Sequence, residues 1–398
     1  MRKSIVWSAV AGLGLSLGLL TAPASAVDVA APAAGPLAAR VAAGAPVSVE
    51  AQQVIDHLPE MRAQADAVRE RLGLPDNPVR DAVLNAIDPT QYECSDATPP
   101  VLSAILPDVA SMTIDQLTAL LTIVIYDVPL MDALYFPQQG PFTFGARGEF
   151  THTVNKTFKD LKGFWDIPSK DVELVPAHGR IMLDAERDYR VFTVLYGANP
   201  AQSRFSADLI ARELRSPVLG WGDLPIFSFN AFAAPGGEDV PGYGKSHRRI
   251  AYGDGVLDGF AQVGLSDVAP SAILAHEFGH QVQFSDDLMR PELPAPEASR
   301  WAELEADAFS AYFLTHARGE SMNWKRVHDF GQMFYQLGDC GFTSAGHHGT
   351  PNQRMRSALW AAGLAASLRP RGHILPSRTF NDFFTAQYPQ LIAPDATS

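Results

Sequence analysis

Residues 275–281 read AHEFGHQ, with His276 and His280 four positions apart and Glu277 directly after the first histidine. These seven residues are either one turn of a metal-binding helix or a helix that merely carries two imidazoles. Just upstream, Asp267 is placed to cap a helix, and Pro270 falls in the first turn, where its missing N–H costs little. In a helix starting there, His276 and His280 project from one face, a turn apart. Both imidazoles can then reach one zinc ion at about 2.0–2.1 Å. Glu277 sits beside that ion rather than on it, placed to polarise a water and carry its proton to a leaving amine. Gly279 has no side chain, so another element can pack closely against this helix.

A catalytic zinc needs a third protein ligand and one open position. The best supplier is the helical stretch RWAELEADAFSAYFL, residues 300–314. Glu303 and Asp307 are four apart there and share a face with Ala306, Ser310 and Leu314, whose small members allow it to approach the first helix. Glu303 is thereby the expected third ligand, and Asp307 the expected partner of a ligand histidine, fixing its tautomer. Glu305 lies nearly opposite and is expected to face elsewhere; a surface helix with solvated acids is the plainer alternative. Further on, GHHGTPNQRMR (346–356) is a polar loop that offers His347 and His348 as a cation or donor for the oxyanion of a tetrahedral intermediate. Arg354 is a candidate for orienting that loop or the substrate. His247, His316, His328 and His373 have no comparable setting and read as structural.

Together, AILAHEFGHQVQ, ELEAD and HHGTPNQR resemble the gluzincin metallopeptidases, most of all the bacterial neutral zinc metallopeptidases with HEFGH, ELxAD and HG(S/T)xxQR motifs. Residues 229–233, FNAFA, resemble the edge strand of CAAX-prenyl-protease relatives, which pairs with the substrate backbone. The resemblance spans residues 220–360. It implies His276, His280 and Glu303 as zinc ligands, Glu277 as general base, Asp307 as support for a ligand histidine, His348 as oxyanion stabiliser, and Asn230, Ala231 and Phe232 as substrate-binding. Two departures stand out: the prenyl-protease relatives span membranes, and here a Gly/Pro-rich insertion at 235–247 separates the NAFA segment from the next strand.

The remainder of the chain sets the context. Its 398 residues are 46% hydrophobic and 19% charged, an ordinary globular composition. Arg2 and Lys3, the apolar run SIVWSAVAGLGLSLGLL and small residues Ala24 and Ala26 read as a signal peptide cut after Ala26. Its removal takes the formal charge from −13 to −15, which disfavours nucleic acid. No later segment reads as apolar for long enough to cross a bilayer. Export makes a single disulfide between Cys94 and Cys340 possible and leaves any metal to His and carboxylate ligands.

Residues 27–48 read as an Ala/Pro-rich linker and 49–73 as a helix. A second apolar helical run follows Ser111, so that 49–150 forms a helical region, either a packing subdomain or a removable pro-region. From 151 to 398 the expected domain is α+β and zincin-like: strands at 190–197, within 223–234 and within 248–260, with 235–247 as hairpin or loop, then helices. The functional expectation is an exported zinc endopeptidase acting on peptide or protein substrates. The alternatives are a zinc-holding envelope scaffold and a zinc hydrolase of another amide or ester.

Overall fold

The computed structural model of the protein describes residues 40–41, 43–72, 100–106, 111–337, 347–370 and 372–394. The expected signal peptide, most of the 27–48 linker, Cys94 and Cys340 lie outside the described residues.

The chain opens with α1 (Val49–Leu72) and α2 (Pro100–Ile105). In α1 the apolar positions Val54, Met61, Ala65 and Val68 are buried, as their helical spacing predicts. The apolar run after Ser111 makes two helices, α3 (Ile114–Tyr126) and α4 (Val128–Tyr135). Thr113 and Gln116 form a reciprocal capping box that starts α3, and Asp127, in left-handed backbone at φ 47°, ends it. Ile114–Tyr135 is long and apolar enough to cross a membrane, with a mean hydropathy of 1.7, contrary to the sequence expectation; 94% of that window is buried inside the protein.

Next come α5 (Thr151–Phe164), β1 (Glu173–Ala177), α6 (Ala185–Arg190) and α7 (Pro200–Glu213). Residues 190–197, expected as a strand, instead continue α6 as a π-helical turn over Val191–Leu195. The reason lies in burial: Val191, Phe192, Leu195 and Tyr196 are the covered positions, a helical rather than an alternating pattern. Phe192 and Tyr196 close on Tyr126 with ring centroids 4.8 and 4.6 Å away.

The strands β2 (Ala231–Ala234), β3 (Asp239–Val240), β4 (Gly244–Lys245) and β5 (Arg249–Gly253) follow. Two of them join β1 in a sheet of order β1-β5-β2, with β1 parallel and β2 antiparallel to β5. The 235–247 insertion folds as the β3–β4 hairpin. Arg249 ties the sheet to the N-terminal helices: its guanidinium donates to Ala133 O, Leu134 O and Phe136 O at the end of α4, and to Glu173 at 2.8 Å.

The C-terminal half is helical: α8 (Asp254–Gln262), α9 (Ala269–Asp286), α10 (Ala295–Thr315), α11 (Trp324–Gln336), α12 (Pro351–Ser367) and α13 (Ser377–Leu391). Pro270 does sit in the first turn of α9, but Val268 rather than Asp267 is its cap residue. Helices therefore precede, interleave with and follow the strands, rather than coming after them. The architecture is α+β: among the described residues, a helix-rich body with a three-stranded sheet and the two-stranded β3–β4 hairpin. A single apolar core runs from Ala51 in α1 to Leu391 in α13, crossing residue 150 without a break.

Candidate metal centre

Almost all of α9 is buried, so its polar residues are enclosed rather than solvated. His276 and His280 lie a turn apart, their Nε2 atoms 3.2 Å from each other and their rings edge to face at 89°. From α10, Glu303 offers Oε2 at 3.4 Å from His276 Nε2 and Oε1 at 3.4 Å from His280 Nε2. These three residues are a group able to hold a metal ion, with ligand atoms within 4.8 Å of one another.

The two helices can approach this closely because of Gly279. A Cβ there would stand 3.1 Å from Ala306 Cα and 3.2 Å from Phe309 Cβ, so α10 lies directly against the glycine face. Ser310 seals the contact by donating its hydroxyl to Ala272 O at 2.8 Å. On its other side α10 is held to α12, where Ser357 donates to Leu304 O at 2.5 Å.

Each imidazole is oriented from behind. His276 Nδ1 pairs with Asp307 Oδ1 at 2.8 Å. A carboxylate only accepts, so Nδ1 carries the proton and Nε2 faces the centre. Asp307 is in turn gripped by the buried Arg354 guanidinium, Nε to Oδ2 at 2.7 Å and Nη2 to Oδ1 at 2.6 Å, a two-point contact. The same Nη2 lies 3.6 Å from Glu303 Oε2. His280 Nδ1 pairs with Gln283 Oε1 at 2.8 Å.

The electrostatics follow from enclosure and charge. Burial alone would raise the Glu303 carboxyl, but hydrogen bonds from His276 and His280 and the charge of His348 hold it well below its ordinary range. For His276 burial works to lower the pKa, and the bonds and charges of Asp307 and Glu303 outweigh it, pushing it up to about 10. Glu277 is raised by burial, with partial relief from the two histidines.

No family model, curated protein or solved structure matches the chain. The site is accordingly read from its own geometry.

The structure brings His276, Glu277, His280, Glu303, Asp307 and Arg354 together at one place, and seats His348, buried, close enough for its charge to act on Glu303. Ala231 and Phe232 lie in β2, which is an edge strand of the sheet, and Asn230 immediately precedes it. Asn230 donates its side-chain amide to Asp127 at 2.8 Å, so its side chain is committed to the α3–α4 junction. Gly253 N donates to Asn230 O. By the alternation of an antiparallel ladder, Phe232 then faces β5, while the backbone groups of Ala231 and Ala233 point away from it.

Sequence reasoning placed Glu305 away from the centre and missed Gln283 and Asn381. All three are connected to it. Gln283 donates to Ala302 O at 2.8 Å and to Glu305 Oε2 at 3.0 Å, and Asn381 donates to Glu305 Oε1 at 2.6 Å. The available signal was Gln283 itself, a polar residue three positions after His280 and on the same side of α9.

Proposed function

We propose that this protein is an exported, zinc-dependent endopeptidase of the gluzincin type with a zincin-like catalytic domain. The observation that carries this reading is the convergence of two imidazole nitrogens and one carboxylate. A tetrahedral ion with bonds of about 2.0–2.1 Å sets its ligands about 3.3 Å apart; the two Nε2 atoms are 3.2 Å apart, and Glu303 presents one carboxylate oxygen to each, Oε2 to His276 and Oε1 to His280, at 3.4 Å. Two imidazoles and one carboxylate are also the donor set of a catalytic rather than a structural zinc, leaving a position free.

Zinc bound there would act as a Lewis acid that brings the pKa of a water toward neutrality. The chain's own residues do the rest. Glu277, buried beside the histidines and raised by that burial, takes the proton of the attacking water and delivers it to the departing amine. Asp307 and Gln283 keep both imidazoles turned toward the centre. His348, near Glu303, is positioned to donate to the developing oxyanion. The outward backbone of Ala231, at the partly exposed start of β2, supports pairing with an extended substrate, and Phe232, half-buried, lies on the strand that receives it.

One observation favours the second reading, a zinc-holding protein without turnover: the centre is closely covered, with His276, Glu277, Glu303 and His348 only 7, 6, 6 and 7% exposed. Both readings meet one experiment, incubation of the zinc-loaded protein with a broad peptide library beside its Glu277→Gln variant. Cleavage by the parent alone establishes the peptidase. Zinc retained by both proteins with cleavage by neither favours the scaffold, and equal cleavage by both removes the assignment to this site.

A further inference from the structure

Two imidazoles face the centre, and each is supported by a different device. His276 has the Asp307 carboxylate and Arg354 behind it. His280 has only a neutral amide, Gln283. An amide can turn either its oxygen or its nitrogen toward an imidazole, and only the first leaves Nε2 free to bind a metal. What decides between them lies one step further out.

The Gln283 nitrogen is placed between the carbonyl of Ala302 at 2.8 Å and the carboxyl of Glu305 at 3.0 Å. The carbonyl can only accept, so the NH2 group must face it and the oxygen must face His280. Glu305 occupies the second proton of that NH2 group. Its other oxygen accepts from Asn381 Nδ2 at 2.6 Å, which brings in the C-terminal helix α13. Glu305 is fully buried, and a carboxyl is kept there at a desolvation cost that a leucine would avoid.

We infer that Glu305 is a positioning residue: together with the Ala302 carbonyl it holds the Gln283 amide whose oxygen sets the orientation and tautomer of His280, and through Asn381 it makes α13 part of the metal centre's support. The inference rests on the zinc reading above and adds to it the control of the second histidine. Outer partners of this kind are worth about 10–100-fold in metal affinity.

The test is zinc affinity by chelator competition, read on the parent and on Glu305→Leu, Glu305→Gln and Asn381→Ala. Glu305→Leu leaves the inner proton of Gln283 without an acceptor and loses about 10–100-fold in affinity. Glu305→Gln retains an oxygen for Gln283 and, with Asn381 turned over, a second hydrogen bond, and stays within about threefold of the parent. Asn381→Ala, at a half-buried position that folding tolerates, loses about threefold to tenfold. In cobalt-substituted protein the exchangeable Nδ1 proton of His280, displaced by the paramagnetic ion, exchanges faster with solvent in Glu305→Leu, while that of His276 is unchanged. Zinc held as tightly by Asn381→Ala and by folded Glu305→Leu as by the parent overturns the inference alone. A parent that holds no zinc overturns the zinc reading and the inference together.

Discussion

Substituting Gly279 by alanine adds one methyl group at the closest approach of α9 and α10, and its consequences can be worked out from three distances. The new carbon would lie 3.1 Å from Ala306 Cα, 3.2 Å from Phe309 Cβ and 3.3 Å from Ala306 O. Comfortable contact begins near 3.4 Å and centres closer to 3.8 Å, so α10 must retreat by roughly 0.3–0.6 Å. None of the three atoms is the end of a flexible chain, so the movement falls on the helix as a body. Glu303 is one turn from Ala306 on the same face, and metal–ligand distances tolerate about 0.2 Å. The displacement therefore exceeds what the third ligand can absorb without rearranging, and zinc affinity falls on the order of tenfold. Stability is the balance of two effects. Alanine in place of a helical glycine contributes about 1 kcal/mol, and overpacking costs about 1–3 kcal/mol, for a net loss of about 0–2 kcal/mol. Urea unfolding of the metal-free protein reads the second quantity, and chelator competition the first. A Gly279→Ala variant that gains the full helical 1 kcal/mol and binds zinc like the parent refutes the claim that this glycine sets the distance between the ligand helices.

Three further outcomes are expected. Asp258 has its pKa pushed up from 3.8 to about 6, by burial first and then by Glu149 and Asp254, so the fold favours its proton. Its contribution to stability is full below about pH 4 and is lost as the pH rises through about 6. Asp258→Asn accordingly stabilises the protein at pH 7.5 and not at pH 4, by about 1 kcal/mol once solvent screening of this half-exposed group discounts the shift, as read by unfolding at the two pH values. Arg249→Met strands three carbonyls at the end of α4, and costs about 3–4 kcal/mol in urea unfolding; a loss below about 1 kcal/mol would mean that water replaces the guanidinium. Zinc at 100 times its dissociation constant stabilises the metal-stripped protein by about 2.7 kcal/mol, and Glu303→Ala removes that gain while leaving the metal-free protein folded.

The residues of the centre were legible where one helical period decided them. His276 and His280, and likewise Glu303 and Asp307, are pairs four apart, and each pair does share a face, with the small residues between them serving the approach. For Glu305 the same argument gave the face, opposite Glu303, but no partner on it: α10 is buried on all sides from Trp301 to Leu314. The far face meets α13, and Trp301 packs on Phe384 and Tyr388 there. A helix apolar all round is an interior helix, and an acid on any of its faces needs a partner. Residues 190–197 were misread for a related reason. Their β-branched content suggested a strand, while the positions that needed burial, Phe192 and Tyr196 against Tyr126, were four apart. The support given by Asn381, 76 residues away from Glu305 in the chain, left no local trace to read.

The α3–α4 pair also constrains how the protein is made. Its apolar residues are covered in part by the sheet, and Arg249, which closes the end of α4, is synthesised more than a hundred residues later. At ribosomal speeds of about 5–20 residues per second, Ile114–Tyr135 emerges roughly 6–20 s before β5 exists to cover it. For that interval the nascent chain exposes a segment with the hydropathy of a membrane helix, open to capture by any bilayer or holding chaperone it meets. The charges inside it, Asp115, Asp127 and Asp132, are what set it apart from a true span. In the finished protein Asp127 receives Asn230, and Asp132 binds Arg187 and Arg190. Two of these acids thus become, in the folded protein, points at which the later half fastens to the earlier one.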